Sequence, residues 1–236
     1  MLGTWINVLA IIAGGSLGLL LGSRLPERVK NTVISGMGLF VIAIGLKMFL
    51  ETTNSIIPLG GLLIGAFLGE WWKIEEGFSA LGMWLERRFI RGTDSGGQEK
   101  FLRGFLAASI LFCSGPMAIL GSIQGGLNND HQMLIIKSIL DGFICLSFAS
   151  TMGVGVIFSA IPVLGYQGAI VLLAGQLKPL TSGMMMSEMT AVGGLVLMAV
   201  GVSSVMNMYK IRVGSFIPAL FTTPLLVYLL KLLGVI

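Results

Sequence analysis

Charged side chains are scarce in this chain: Asp, Glu, Lys and Arg together make up 11% of its 236 residues. Hydrophobic residues make up 55%, and the mean hydropathy is +0.92. A soluble domain of this composition would expose far more apolar surface than water tolerates. The composition excludes a soluble catalytic module and predicts a polytopic membrane protein whose first partner is the lipid bilayer.

Cysteine and histidine are also rare, with two Cys and one His. Cys113 and Cys145 both lie in apolar segments, which favours small buried hydrophobes over a disulfide. His131 has no other ligand residue at metal-binding spacing, so we expect no metal site. Neither a nucleotide-binding loop nor a nucleophile motif occurs in the sequence. We therefore expect that the protein binds no cofactor and is not an enzyme. The net charge of +4 does not require a nucleic-acid partner.

Eight apolar runs are long enough to cross a bilayer, since a crossing takes about 20 residues and tilt allows fewer. The predicted fold is therefore an all-α transmembrane bundle of about eight helices. The fifth and sixth runs are nearly continuous, and we expect the break between them near Pro162. The runs are residues 4–22, 32–50, 57–72, 101–127, 133–158, 161–177, 190–207 and 214–233.

Basic residues cluster after the first, third and seventh runs. With eight crossings these clusters share one face, which the positive-inside rule makes cytoplasmic. The sequence thus predicts that both termini lie outside the cytoplasm. The clusters are Arg24, Arg28 and Lys30; Lys73, Arg87, Arg88, Arg91, Lys100 and Arg103; and Lys210 and Arg212.

The longest connection, 73–100, begins with an amphipathic pattern and is predicted to form a cytoplasmic interfacial helix and loop. Its acidic and basic residues are predicted to lie mostly on the other face, including Glu86. The apolar face is predicted to contain Ile74, Phe78, Leu81, Trp84, Leu85 and Phe89.

Glycines recur at every fourth position in the first and third runs. Small residues at this spacing let two helix backbones approach closely in lipid, so we interpret them as packing residues. The two stripes are Gly14, Gly18 and Gly22, and Gly61, Gly65 and Gly69.

The chain resembles itself at an offset of 153 to 156 residues. An odd number of crossings separates the matched runs, so the repeats must be inverted. The predicted organisation is a single membrane domain with a first repeat at 1–72, a central helix pair at 101–158 and a second repeat at 159–236. The matches are Gly15 with Gly168, Gly22 with Gly175, Pro26 with Pro179, Gly38 with Gly194, Ala43 with Ala199, Gly45 with Gly201, Gly61 with Gly214 and Ala66 with Ala219.

Two features of the central pair are candidates for an ion or solute path. Lys137 and Asp141 are one helical turn apart in an apolar run, where a charge costs about 2.5–3.5 kcal/mol. Their pairing is equally well explained by packing alone. The Ser114-Gly115-Pro116 triplet must kink or break its helix, which either exposes carbonyls to a solute or only shapes the bundle.

Several uncharged polar residues complete the candidate path. Ser109, like Ser147, Ser150 and Thr151, is expected to bond mainly to its own helix backbone. The remaining residues either converge on a polar cavity or form hydrogen bonds between helices. They are Asn7 in the first helix, Ser122 and Gln124 in the fourth, and Gln167 in the sixth.

The chain resembles the YqgA/YdfK-like family of bacterial multi-pass membrane proteins, a family classed as of unknown function. The resemblance implies an integral membrane protein of a prokaryotic plasma membrane, with no established substrate or catalytic residues. It is most specific in residues 112–127 (FCSGPMAILGSIQGGL), 137–142 (KSILDG), 149–156 (ASTMGVGV), 166–168 (YQG) and 211–220 (IRVGSFIPAL).

Two functional hypotheses follow. The first is a small transporter or channel for an ion or a small polar solute, with the Lys137/Asp141 pair and the broken fourth helix as its polar core. The second is a non-transporting accessory or signalling protein that acts through its cytoplasmic segment 74–103. A polar path between the repeats favours the first, and a dry, close-packed interior favours the second. The sequence leaves a homo-oligomer open.

Overall fold

The computed structural model describes residues 1–22, 26–89, 95–177, 183–205, 208–209 and 211–234, and these residues contain helices but no strand. The prediction of an all-α fold is confirmed. The helices are α1 (Leu2–Gly22), α2 (Glu27–Phe49), α3 (Ile56–Trp71), α4 (Ile74–Phe89), α5 (Ser95–Ser114), α6 (Pro116–Leu127), α7 (Gln132–Met152), α8 (Gly155–Phe158), α9 (Ala160–Leu172), α10 (Ala174–Leu177), α11 (Gly183–Val200) and α12 (Ala219–Leu232).

Six helical segments in the described part of the chain are long and apolar enough to cross a membrane. The bent pair α5 and α6 makes a seventh if it is one span. Helix α3 is apolar but has only 16 residues, so the count of eight, which includes α3, stays a prediction. The six are Leu2–Gly22, Asn31–Phe49, Gln132–Met152, Gly155–Leu172, Gly183–Ser203 and Val213–Leu232.

The glycine stripe of α1 packs directly on the backbone of α7. A Cβ on Gly14, Gly18 or Gly22 would overlap a carbonyl oxygen of α7. The α7 residues in these contacts rise in number along with the α1 glycines, so α1 and α7 run parallel. The close approach replaces side-chain contacts by backbone contacts, as small residues allow in lipid. The three carbonyls belong, in the same order, to Gly142, Leu146 and Ser150.

The second stripe holds α3 against α12 in the antiparallel direction. Gly61 lies against Thr223, Gly65 against Ala219 and Gly69 against Ser215. The residue numbers rise along one segment and fall along the other, so the two segments run in opposite directions. The interpretation of both stripes as packing residues is therefore confirmed.

The predicted break at Ser114-Gly115-Pro116 is confirmed. Helix α5 ends at Ser114 and α6 begins at Pro116, with an angle of 57° between the two helices. Gly115 has extended backbone angles, φ −76° and ψ 144°. Pro116 is the first residue of α6, where its missing N–H costs no helical hydrogen bond.

The break expected near Pro162 lies instead at Gly153, so that prediction was wrong. Gly153 ends α7 with φ 87°, a conformation that side chains disfavour. Pro162 is the third residue of α9, and a proline in the first turn removes no hydrogen bond that the helix needs. The sixth span therefore begins at Gly155.

Helix α4 forms as predicted, but two of its side chains were assigned to the wrong face. Its buried face carries Leu85, which packs with Phe101 and Phe105 of α5. Trp84, predicted on this face, is 59% exposed, whereas Glu86, predicted on the polar face, is 4% exposed. Glu86 is tolerated there because Gln98 donates a hydrogen bond to its carboxylate (3.0 Å). Phe89 has no described side chain, and Arg24, Arg91 and Lys210 lie outside the described residues.

Candidate functional site

Lys137 and Asp141 form an ion pair within α7, with Nζ in direct contact with Oδ2. Each residue is 5% exposed. The ammonium group also lies 5.7 Å from the centre of the Phe112 ring of α5, a distance at which the ring attracts a cation. The two charges are thus partnered and cancel each other.

The position of the pair follows from the apolar pattern of α7. Ile136, Ile139 and Leu140, its neighbours in sequence, are exposed on the outer surface of the bundle. The charged residues are one turn apart on the opposite side and meet each other there. The pair therefore faces the bundle interior.

Phe112 places the ion pair beside the helix break. At the break, the Gly115 carbonyl accepts a hydrogen bond from the Ala118 N–H (3.0 Å), so α6 already uses this oxygen. The side chains of Ser114 and Pro116 are not described. The break joins α5 to α6 and turns α6 towards other helices.

Ser109 donates a hydrogen bond to the Phe105 carbonyl one turn earlier (2.6 Å). Ser147, Ser150 and Thr151 likewise donate to carbonyls of α7. The expectation that these hydroxyls bond to their own helices is confirmed, and they have no need of a further partner.

A second polar group, which we call the neutral cluster, consists of Thr4, Asn7, Ser122 and Gln167. All four residues are 0% exposed. Their hydroxyl and amide atoms form no hydrogen bond with any part of the chain that the structure describes. Buried polar groups are nearly always hydrogen-bonded, and each one left unsatisfied costs about 1–3 kcal/mol. These unsatisfied groups therefore lower the stability of the folded protein, and packing does not require them.

Contacts with α7 put the α1 and α6 members at the same height in the bundle. A Cβ on Gly3 would lie 2.8 Å from the Leu134 Cβ, and one on Gly121 would lie 3.0 Å from Leu134 Cδ2. Thr4 and Ser122 are the next residues along their helices. Leu134 thus fixes the relative height of Thr4 and Ser122, whose side chains point about 100° away from those of the two glycines.

Helix α9 reaches the same height. A Cβ on Gly168 would lie 3.8 Å from Met1 Cε, and one on Gly126 would lie 2.5 Å from the Val171 oxygen. Gln167 directly precedes Gly168 and lies one turn before Val171. Ser122 lies one turn before Gly126, which is the residue that contacts Val171. Helices α1, α6 and α9 contact one another, with Thr4, Ser122 and Gln167 at about one height and Asn7 about one turn further into α1.

Two neighbouring residues lie at the edge of this arrangement. Gln124 of α6, predicted as part of the path, is half-buried. Tyr166 has a buried hydroxyl without a partner among the described residues, and its ring packs edge-on against Phe221 (6.2 Å between centroids). Tyr166 also lines a groove of about 460 Å³ beside α4, together with Pro162 and Lys73.

Glu188 of α11 is a buried carboxylate that the sequence analysis missed. It is 0% exposed and accepts three hydrogen bonds, from Thr52 Oγ1 (2.5 Å), Thr53 N (2.9 Å) and Thr53 Oγ1 (2.8 Å). We began the seventh apolar run at residue 190, whereas α11 begins at Gly183. An acidic residue two positions before an apolar run was the available signal.

A further group of charged residues lies around Arg212, near the end of α3 and the start of α4, and we call it the clasp. Arg212 pairs with Glu70 (2.8 Å) and Glu76, and the Gly214 N–H donates to Glu75 (2.6 Å). Burial raises the pKa of the Glu75 carboxyl. A backbone hydrogen bond and Arg212 lower the pKa of Glu76. The clasp ties α4 to the segment that enters α12.

Metal binding has little support in the described part of the chain, where no three His, Cys, Asp or Glu side chains lie close enough to hold an ion.

This is a polytopic α-helical membrane protein by its helices of spanning length, its exposed leucine and isoleucine side chains and its buried ion pair. The chain belongs to the family described as "Protein of unknown function (DUF554)", which matches residues 2–228. It is 34% identical over 201 residues to the "Uncharacterized protein YqgA" of Escherichia coli (strain K12), covering 85% of this chain and 86% of the relative. It is 26% identical over 238 residues to the "Uncharacterized membrane protein YdfK" of Bacillus subtilis (strain 168), covering 99% of each. No solved structure matches the chain.

Proposed function

We propose that this protein moves a small polar solute across the bacterial plasma membrane, and that the neutral cluster is its binding site. The observation that carries the proposal is the complete burial of Asn7 and Gln167 with both polar atoms of each amide unpartnered among the described residues. Polar groups inside a membrane bundle are costly, and their retention points to function.

The proposed architecture includes the inverted repeat, and one pair of contacts agrees with it. The sequence matches Gly38 with Gly194 and Gly45 with Gly201. A Cβ on Gly45 would lie 2.5 Å from the Gly194 oxygen, and one on Gly201 would lie 3.0 Å from the Gly38 oxygen. Exchanging the two repeats converts the first contact into the second, which agrees with a pseudo-two-fold axis and follows equally from any antiparallel packing of α2 and α11. In the proposed fold, α1 and α9 are equivalent helices, and both contribute to the neutral cluster.

The broken helix contributes the third wall. Transporters built from inverted repeats place their sites near discontinuous helices at the bilayer midplane; α6 is the second half of such a helix in this proposal, and the neutral cluster lies beyond the break, towards one end of the bundle. Ser122 lies in α6, seven residues after the break. In this proposal the Lys137/Asp141 pair anchors α7 beside the break and does not contact the solute.

The complete burial of the neutral cluster also suits the accessory hypothesis, but the helix α4 on which that hypothesis depends is partly occupied. The apolar face of α4 is occupied by α5, through Leu85, Phe101 and Phe105. Its acidic start is bound to the segment before α12 by the clasp. Trp84, Arg87 and Arg88 remain exposed, which suits a helix resting among lipid headgroups. The apolar face of α4 is therefore covered, and the side that carries Trp84, Arg87 and Arg88 is the surface left for lipid or a partner.

Parallel packing supports the proposed topology. Helices α1 and α7 run parallel only if the chain crosses the membrane an odd number of times between them. Because α2 is a candidate span, α3 and the α5–α6 pair must both cross or both not cross. With both crossing, the count is eight and the termini lie outside the cytoplasm. Reporter fusions after residues 30, 95 and 210 should all report the cytoplasm, and an outside signal at 210 alone would refute the inverted repeat.

Transport is tested with purified protein in liposomes. The vesicles are assayed with sodium, potassium, protons, small amino acids and uncharged solutes, beside protein-free vesicles. We expect at least one solute to cross faster with protein than without. If no solute does so while the protein remains folded, the accessory hypothesis replaces transport.

A further inference from the structure

We infer, on the basis of the proposed function, that the neutral cluster takes an uncharged solute that both donates and accepts hydrogen bonds, such as a small amide, a ureide or a polyol. The cluster consists of two carboxamides and two hydroxyls, all fully buried. Each carboxamide offers two N–H donors and one oxygen acceptor, and each hydroxyl offers both functions. The site is therefore mixed in hydrogen-bonding character and neutral in charge.

A cation fits this set of atoms poorly. The oxygens of Thr4, Asn7, Ser122 and Gln167 could coordinate a cation, but the amide nitrogens of Asn7 and Gln167 are also buried and unpartnered among the described residues. A cation would leave those N–H donors unsatisfied, and burying such donors without a partner is unfavourable. An anion would satisfy the donors and leave the oxygens unpaired. A solute with both kinds of group satisfies both.

The surrounding charges also favour a neutral solute. The charged groups nearest in sequence to Leu134 are Asp130, which is exposed in the turn before α7, and the buried Lys137 and Asp141. These two bond to each other and so provide no net charge to balance an ion. Introducing an uncompensated charge into a low-dielectric interior is strongly unfavourable. An uncharged solute needs no counter-charge and is insensitive to the membrane potential.

The cluster is close to a polar end of the bundle. Helices α6 and α7 are joined there by the turn at 128–131, in which His131 Nε2 lies 3.0 Å from Asn129 Oδ1. Gly125, one turn after Gly121, would place a Cβ 3.1 Å from His131 Nδ1. Ser122 lies five residues, about 8 Å, before the end of α6 at this side of the bundle.

The inference is tested by stopped-flow light scattering of proteoliposomes exposed to urea, acetamide or glycerol, and in parallel to sodium and potassium salts. We expect at least one uncharged solute to enter about tenfold faster than in protein-free vesicles, at a rate that a potassium diffusion potential does not change. Asn7→Leu and Gln167→Met, which remove the amides at similar volume, should each lower that rate about tenfold, the effect of about one hydrogen bond.

The control is Ser138→Ala, which removes a buried hydroxyl that donates to the Leu134 carbonyl (2.6 Å) and should keep the rate. Size-exclusion profiles establish folding, and Ser122→Ala replaces any variant that fails to fold. Flux restricted to ions, or flux that follows the membrane potential, would overturn the inference and leave transport standing. No flux of either kind would overturn both.

Discussion

The ion pair and the neutral cluster both lie inside the membrane-spanning helices, yet they differ in how their atoms are satisfied. Lys137 and Asp141 bind each other and are supported by the Phe112 ring. Asn7 and Gln167 carry no charge and have no partner among the described residues. Charge draws attention in a sequence, but the pairing of atoms decides whether a polar residue needs a ligand.

This difference assigns different roles to the two regions. A charged pair that is fully compensated is structural, and removing one of its two members should damage folding. A neutral group that is uncompensated costs stability, and its removal should damage function while folding is kept or improved. The following predictions separate the two regions.

Breaking the ion pair from one side should have the largest effect on stability. Asp141→Asn leaves the Lys137 ammonium buried without its counter-charge, which costs about 3–5 kcal/mol. The double variant Lys137→Met/Asp141→Leu should be more stable than the single variant, because it leaves no stranded charge. Thermal unfolding in detergent measures both, and a double variant no better than the worse single variant would show that the residues do not act as a pair.

Separating α1 from α7 should be the next largest effect, because both polar regions depend on this contact. Gly18→Ala places a Cβ against the Leu146 carbonyl, and overpacking of this kind costs about 1–3 kcal/mol. Gly36→Ala in α2 is the matched control, since a Cβ there meets nothing within 4 Å. Unfolding midpoints of the two variants give the comparison, and equal midpoints would contradict the close packing.

Removing an amide from the neutral cluster should leave stability unchanged or raise it. Gln167→Met keeps the side-chain volume and removes two unpartnered atoms, so up to about 1 kcal/mol should be gained. Gln98→Met is the contrasting control, because that amide donates to Glu86 and its loss should destabilise. A Gln167 variant that unfolds earlier than the Gln98 variant would indicate that Gln167 has a structural partner.

The smallest effect concerns the clasp, which lies outside both polar regions. The pKa of Glu75 is raised above 4.5 by burial, so the folded state holds this proton more tightly than the unfolded state does. Its contribution to stability is present at low pH and is lost as pH rises through the raised pKa. Between pH 4.5 and 7, the free energy of unfolding of Glu75→Gln should therefore rise relative to that of the wild type. The rise should be about 0.5 kcal/mol or less, because solvent screens the charge.

Thermal unfolding across that pH range measures the difference. The pKa of Glu76 is shifted in the opposite direction, but it contributes equally to both proteins. A variant whose stability relative to the wild type falls with rising pH would contradict the assignment to Glu75.

Features that depend on local backbone chemistry were predictable from the sequence. The break at Gly115 and Pro116, the glycine stripe of α1 and the self-bonded Ser109 each follow from what one residue type does in a helix. The exposed Trp84 was not predictable from a broad apolar pattern, because adjacent residues on a helix point about 100° apart and only packing decides which is inside.

The candidate site was only partly predictable. The sequence placed Asn7, Ser122 and Gln167 together as either a polar cavity or a set of hydrogen bonds between helices, and the choice depends on interatomic contacts that no sequence pattern contains. Gly153 was missed because Pro162 looked like the stronger helix breaker, although a proline in a first turn breaks nothing.

The central claim is that the neutral cluster, and not the ion pair, carries the solute. The most direct measurement compares two double variants in the same liposome assay, normalised to folded protein: Asn7→Leu/Gln167→Met and Lys137→Met/Asp141→Leu. We expect the first to fold and lose solute flux, and the second to fold and retain it. Flux that survives in the first and disappears in the second would contradict the account.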